Sequence, residues 1–349
     1  MAAILDQLEA LVATGFPGAV AVGHRPSGRF EEAVGKANVA TGEPLTAEHR
    51  FRIGSVTKVF VAALVLQLVA EGLLELDGDA GPFAEGITIR QLLNHTSGLP
   101  DFMDDPVEFF EPYRHDPAHR WQLTRRDELR LVLEKPRLFP PGEGWAYHGS
   151  NYIVLGLVVE ETTGVMLREA LRERVLKPLG LTRTDFVEEP LSGDCARGYL
   201  PPENPILPGE GEALVDVTEL DLPFYRAGGG IVSTAGEVAT MLQALLGGSF
   251  LPDHLRSQML DAVDSDWPET DRYGLGIGEI TALMDRQRSP CGPAWGHIGL
   301  SPGYTTAALS SEDGERQVVI WANGSAVTKE ADSAFWDAAG RLAWELYCM

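Results

Sequence analysis

Phe51-Arg52-Ile53-Gly54-Ser55-Val56-Thr57-Lys58 is the stretch on which the reading of this chain turns. An apolar run, Val59 to Val69, follows at once, bounded by Lys58 and Glu71. The spacing predicts a buried helix from Thr57 to about Glu71. If Ser55 opens that helix, Lys58 lies one turn on, along the same face. A serine hydroxyl attacks poorly until a base takes its proton. A lysine can be that base when burial or a nearby cation lowers its pKa, because both disfavour the ammonium. Free N–H groups at the start of such a helix also suit a developing oxyanion. Alone, the Ser-x-x-Lys spacing is weak, since it arises by chance about once in a chain this long.

Working outward, residues 3–13 read as an amphipathic helix ending at Gly15. Ala19 to Val22 and Glu31 to Val34 alternate like the strands of a hairpin around Pro26-Ser27-Gly28. Downstream, helical patterns run from Ile89 to Leu93, Arg126 to Leu133, Tyr152 to Thr162, Leu167 to Val175 and Ala235 to Leu246, and residues 190–224 read mostly as loop. Strand character returns at Tyr304 to Leu309 and Val318 to Trp321, around the turn Glu312-Asp313-Gly314. A closing helix covers roughly Glu330 to Tyr347. Strands at both ends with helices between imply an α+β fold. One antiparallel sheet is built from both termini and flanked by helices, with a mainly helical lobe inserted. The expected division is 1–57 plus 268–349 for the α/β lobe and 58–267 for the helical lobe, with the active site between them.

Of the 349 residues, 44% are hydrophobic, which is ample for a large buried core. The formal net charge of −23 repels phosphate backbones and anionic lipid, so no nucleic-acid partner is expected. No apolar run is long enough to span a bilayer. The N-terminal helix carries Asp6 and Glu9 and no basic leader, so it is not read as a signal peptide. Localisation stays open between cytoplasmic, as the sequence is written, and secreted, if it is a trimmed mature form. Cys195, Cys291 and Cys348 have no metal-ligand spacing with the eight histidines. Neither a metal nor another cofactor is expected.

Two further stretches carry chemistry. Pro140-Pro141-Gly142-Glu143-Gly144-Trp145-Ala146-Tyr147-His148-Gly149-Ser150-Asn151-Tyr152 sets Tyr147 on a loop just before a helix. A tyrosine there is either a proton shuttle or a half-buried aromatic with a satisfied hydroxyl. Trp295-Gly296-His297-Ile298-Gly299-Leu300-Ser301-Pro302-Gly303-Tyr304 places glycines around a histidine ahead of a strand, so another backbone can approach closely. His297 is then either a proton carrier or cationic neighbour, or a structural turn residue.

In this order the three stretches resemble the penicillin-recognising serine enzymes, in particular the S12-type group of class C β-lactamases, DD-carboxypeptidases, D-aminopeptidases and related esterases. The resemblance extends to Ile89 to Leu99, Pro141-Gly142, Gly164 closing a helix, Ala227-Gly228-Gly229-Gly230 and Tyr273-Gly274-Leu275-Gly276. It implies one structural domain of the β-lactamase/transpeptidase type. It also implies that Ser55 attacks the acyl carbon, that Lys58 and Tyr147 share the proton, and that His297 tunes that network. The N–H groups of Ser55 and Leu300 would form the oxyanion hole. His95, within Ile89 to Leu99, is expected to be structural. Cys291 and Cys348 stand where that group pairs two cysteines, a bridge implying an oxidising compartment.

The chain departs from the pattern at its substrate anchors. The family's Tyr-x-Asn is here Tyr147-His148-Gly149, with Asn151 as a candidate substitute in a shifted register. Where the DD-carboxypeptidases read His-Thr-Gly-Thr, this chain has Ile298 and Leu300, with Gly299 between. Where they carry an Arg after Tyr-Gly-Leu-Gly, Ile277 and Gly278 follow. The expected substrate is therefore a small molecule or short peptide-like ester, amide or D-peptide without a strongly bound carboxylate. Ile298, Leu300, Trp145 and either Phe102 or Phe224 would rim its pocket, and His148 would be a pocket wall or substrate hydrogen-bonder. A D-Ala-D-Ala carboxypeptidase or D-aminopeptidase, and an acyltransferase, are alternatives within this class. A non-catalytic penicillin-binding sensor is the rival from outside it, and it would be expected to lose Ser55, Lys58 or Tyr147. A monomer is expected.

Overall fold

Every residue from Val59 to Leu66 is fully buried. A helix that is apolar all round has no face for solvent and must be enclosed. Helix α2 (Thr57–Ala70) accordingly runs through the middle of the molecule. The computed structural model describes residues 2–103, 109–116, 119, 124–187, 191, 193–209, 211–222, 226–267, 270–283, 287–325 and 329–349. Phe224 and the expected lobe boundary at residue 268 lie outside these.

Five long strands carry the main sheet: β1 (Gly18–Arg25), β2 (Gly28–Asn38), β3 (Ala294–Ser301), β4 (Tyr304–Ser310) and β5 (Gln317–Ala322). Their order is β2-β1-β5-β4-β3. Glu43–Pro44 extends the β2 edge, and Gly278–Ile280, Arg272–Tyr273 and Val263–Asp264 extend the β3 edge. All neighbours are antiparallel, so both chain ends build one sheet.

The sheet is covered on both faces, and the period of two assigns each side chain. Val20 and Val22 of β1, with Val319 and Trp321 of β5, join the central core around α2. Ala19 and Ala21, with Val318 and Ile320, join a second core formed by the terminal helices α1 (Ala2–Val12) and α6 (Lys329–Cys348). Ile4, Leu8 and Leu11 provide the buried stripe of α1. Between α2 and α6 come α3 (Ile89–Leu93), α4 (Ser150–Thr163) and α5 (Ala235–Leu246). α4 ends on Gly164, which takes the left-handed conformation. Cys291 and Cys348 form a disulfide, with Cα atoms 5.7 Å apart, that ties the end of α6 to the segment entering β3.

His297 was expected ahead of a strand, but it sits in the middle of β3. Gly296 and Gly299 hide the strand pattern, and both are needed for close packing. A Cβ at Gly296 would stand 1.9 Å from the Ala308 carbonyl oxygen.

Candidate active site

Ser55 is delivered by a clamped approach. Phe51–Arg52 pairs with Ile231–Ser233, and Ile53 N–H donates to Ile231 O at 3.1 Å. The chain then turns through a single 3-10 turn, Gly54–Val56, directly into α2. Gly54 has φ +53°, and a Cβ there would lie 2.6–2.8 Å from the Leu300 backbone. A Cβ at Gly299 would lie 2.1 Å from the Ile53 carbonyl oxygen. These two glycines let the serine turn lie flat on β3.

The turn between β3 and β4, Pro302-Gly303, holds Ser301 opposite Tyr304. In a two-residue hairpin that closing pair exchanges hydrogen bonds, so the N–H and C=O of Leu300 point away from β4, toward the serine turn. The Gly278–Ile280 strand reaches only Ala294 to Gly296, which leaves that edge of β3 open beside Ser55.

Lys58 is buried, with its Nζ 2.9 Å from Ser55 Oγ and donating to the Gly228 carbonyl at 2.8 Å. Burial pulls its pKa down to about 7, opposed by the negative charge of Asp101. Near neutral pH the amine therefore has a lone pair available beside the hydroxyl. The Tyr147 ring lies 4.9 Å from Lys58 Nζ, stacks in parallel on Trp267 at 4.7 Å, and lies 5.9 Å from the His297 ring.

His297 is fully enclosed. Its Nδ1 is 2.6 Å from the Ile298 carbonyl and so carries the proton, leaving Nε2 to accept from Tyr273 O–H at 2.9 Å. Burial, with Lys58 nearby, holds its pKa down at about 3, so the ring is neutral and is not the cationic neighbour that the sequence suggested.

Several expected substrate contacts are corrected. Ile298 points to the opposite face of the sheet from His297, into the core with the terminal helices, and is not on a pocket rim. The Leu300 side chain is exposed, and its backbone lies against the serine turn. Asn151 is fully buried, bonded through Nδ2 to His95 Nδ1 at 2.9 Å and accepting from Ser97 Oγ at 2.5 Å, so it does not stand in for the missing asparagine. At Gly149 a Cβ would meet Phe102 at 2.8 Å. The buried Phe102 ring therefore takes the room where the family's polar side chain would begin, and it is not a rim residue. His148 lies half-buried with Nδ1 3.4 Å from Asp101 Oδ2. Trp145 joins an aromatic group with Tyr147, Tyr273 and His95.

The sequence alone does not single out Gly228 O, Tyr273, Trp267 or Asp101 for the site. Gly228 and Tyr273 did lie in stretches that carried the resemblance. Trp267 had no motif around it.

The family model described as Beta-lactamase matches residues 2–342. Penicillin-binding protein 4* of Bacillus subtilis (strain 168) is 26% identical, over 90% of this chain and 68% of its own length. Esterase EstB of Burkholderia gladioli is 31% identical, over 73% of this chain and 72% of its own. A crystal structure of a D-stereospecific amidohydrolase from Streptomyces sp. superposes with a TM-score of 0.79 at 28% identity, covering 95% of this chain and 96% of that one. The chain belongs to the beta-lactamase family and is a serine hydrolase of that family.

Proposed function

We propose that Ser55 is the nucleophile of a hydrolase that acts on an ester, an amide or a D-configured peptide-like bond, on substrates without a free carboxylate beside the reacting centre. What carries the reading is a desolvated amine, Lys58, 2.9 Å from the serine oxygen. In this reading Ser55 Oγ attacks the acyl carbon, and its proton passes to Lys58 and Tyr147. The oxyanion accepts from the N–H groups of Ser55 and Leu300. Collapse breaks the bond to the alcohol or amine, which leaves with the proton. Water then adds to the acyl-enzyme by the same route, releasing the acid and restoring Ser55. His297 acts as a neutral wall beside Tyr147, and Trp145 and His148 border the substrate.

The donors at hand support a substrate without a carboxylate. Ile298 packs its side chain into the core with the terminal helices, Leu300 is apolar, and Ile277 is fully buried. A buried carboxylate without donors is heavily penalised. A second reading, hydrolysis of D-amino-acid amides, is favoured by the 28% identity over nearly the whole length of the D-stereospecific amidohydrolase. A panel of aryl esters, D-amino-acid amides and anilides, a chromogenic cephalosporin and peptides ending in D-Ala-D-Ala tests both. Efficient turnover of the free-carboxylate peptide with weak esterase activity would sink the proposal. Acyl transfer to an added alcohol or amine in place of water would instead mark an acyltransferase. The reading needs one chain only, and a monomer in sedimentation is its expectation.

A further inference from the structure

We infer that His95 is the positioning residue that aims Tyr147 at the Ser55–Lys58 pair, an inference that rests on Tyr147 being the proton carrier. One residue holds three consecutive members of the tyrosine loop. Ala146 N–H donates to the His95 carbonyl at 3.0 Å. His148 N–H donates to His95 Nδ1 at 3.3 Å. Between them, the Tyr147 ring lies 4.5 Å from the imidazole, centroid to centroid. Asn151 Nδ2 donates to the same Nδ1 at 2.9 Å and is itself fixed by Ser97, so the clamp is anchored to α4.

An Nδ1 that accepts from a backbone N–H carries no proton. The ring is therefore the neutral Nε2–H form, and its complete burial agrees with that. His95 is also the only non-glycine residue with positive φ, +64°, among the described residues. A glycine would adopt this backbone freely; what the histidine adds is the ring that reaches the loop. Its grip is on the loop that carries Tyr147, so His95 acts through Tyr147 and not on the substrate.

Two variants separate the parts. His95→Phe keeps a ring and loses the acceptor. His95→Asn places an amide oxygen close to where Nδ1 stood and tolerates left-handed backbone. Wild-type protein is first labelled with a serine-reactive phosphonate. If Ser55 takes no label, the serine-hydrolase reading itself fails. On enzyme that does label, His95→Phe is expected to lower kcat for p-nitrophenyl butyrate about 100-fold, with KM held within about twofold, and His95→Asn to recover to within about tenfold of wild type. In a Tyr147→Phe background, either substitution is expected to change kcat by less than about twofold, because no hydroxyl remains to be aimed. Thermal melts accompany each variant, and if His95→Phe does not fold, His95→Asn carries the test alone in both backgrounds. The inference is overturned if kcat of a folded His95→Phe stays within about threefold of wild type, if Asn is no better than Phe, or if the effect persists at full size without the Tyr147 hydroxyl.

Discussion

Gly299→Ala isolates the contact between the serine turn and β3. The new Cβ would stand 2.1 Å from the Ile53 carbonyl oxygen and 3.1 Å from Val56. Close carbon–oxygen contacts settle at about 3.3 Å, so turn and strand must part by roughly 1 Å. The colliding oxygen is backbone, so no rotamer change relieves it. A displacement of that size costs about 100-fold when it misplaces reacting groups, and losing one oxyanion donor costs about 100- to 1,000-fold. We expect kcat for an aryl ester to fall by about 100- to 1,000-fold, with KM changed by less than about threefold. Overpacking of this kind costs about 1–3 kcal/mol, so the variant should remain folded with a lowered Tm. Steady-state kinetics with phosphonate titration of competent sites measures the effect per active molecule. A kcat within threefold of wild type in a folded Gly299→Ala would refute the reasoning.

Lys58→Met should lower kcat/KM by about 100- to 10,000-fold without abolishing folding, measured on the same ester, because the general base is lost. Burial lowers the Lys58 pKa, so its base form fills as pH rises through about 7; kcat/KM should climb with pH below that value and level above it, and a flat profile from pH 5 to 8 would count against the assignment. A carboxylate bound without a charge-assisted partner forgoes about 1.5–3 kcal/mol, so amidating a D-Ala-D-Ala peptide should raise kcat/KM about 10- to 150-fold over the free acid. Intact mass should rise by two hydrogens on reduction, and Cys291→Ser should cost about 4 kcal/mol of stability in denaturant titration, from closing a loop with a sequence separation of 57 residues.

What the sequence made legible was the periodic part of the fold. The hairpin of β1 and β2, the enclosed α2 and the closing helix all follow from alternation or from an unbroken apolar run. Helix α5 falls between the same residues, Ala235 and Leu246, in sequence and structure. Strand β3 escaped because Gly296 and Gly299 lack the side chains that signal a strand, although close packing demands them. In the site, the Ser55–Lys58 spacing put the two groups on one helical face, and the 2.9 Å approach follows from it. Asn151 lies inward, bonded to His95 and Ser97, and sequence distance from Tyr147 does not tell which face of α4 a residue occupies. The same holds for Ile298, since a strand reverses its facing at every residue. Trp267 reaches Tyr147 only through tertiary packing and left no local signal.

The most direct test is mass spectrometry of the full chain after exposure to a serine-reactive phosphonate, with peptide mapping. Ser55 as the nucleophile predicts a single adduct on Ser55, absent from Ser55→Ala and formed much more slowly in Lys58→Met. Label on any other residue, or equal labelling of Ser55→Ala, would contradict it.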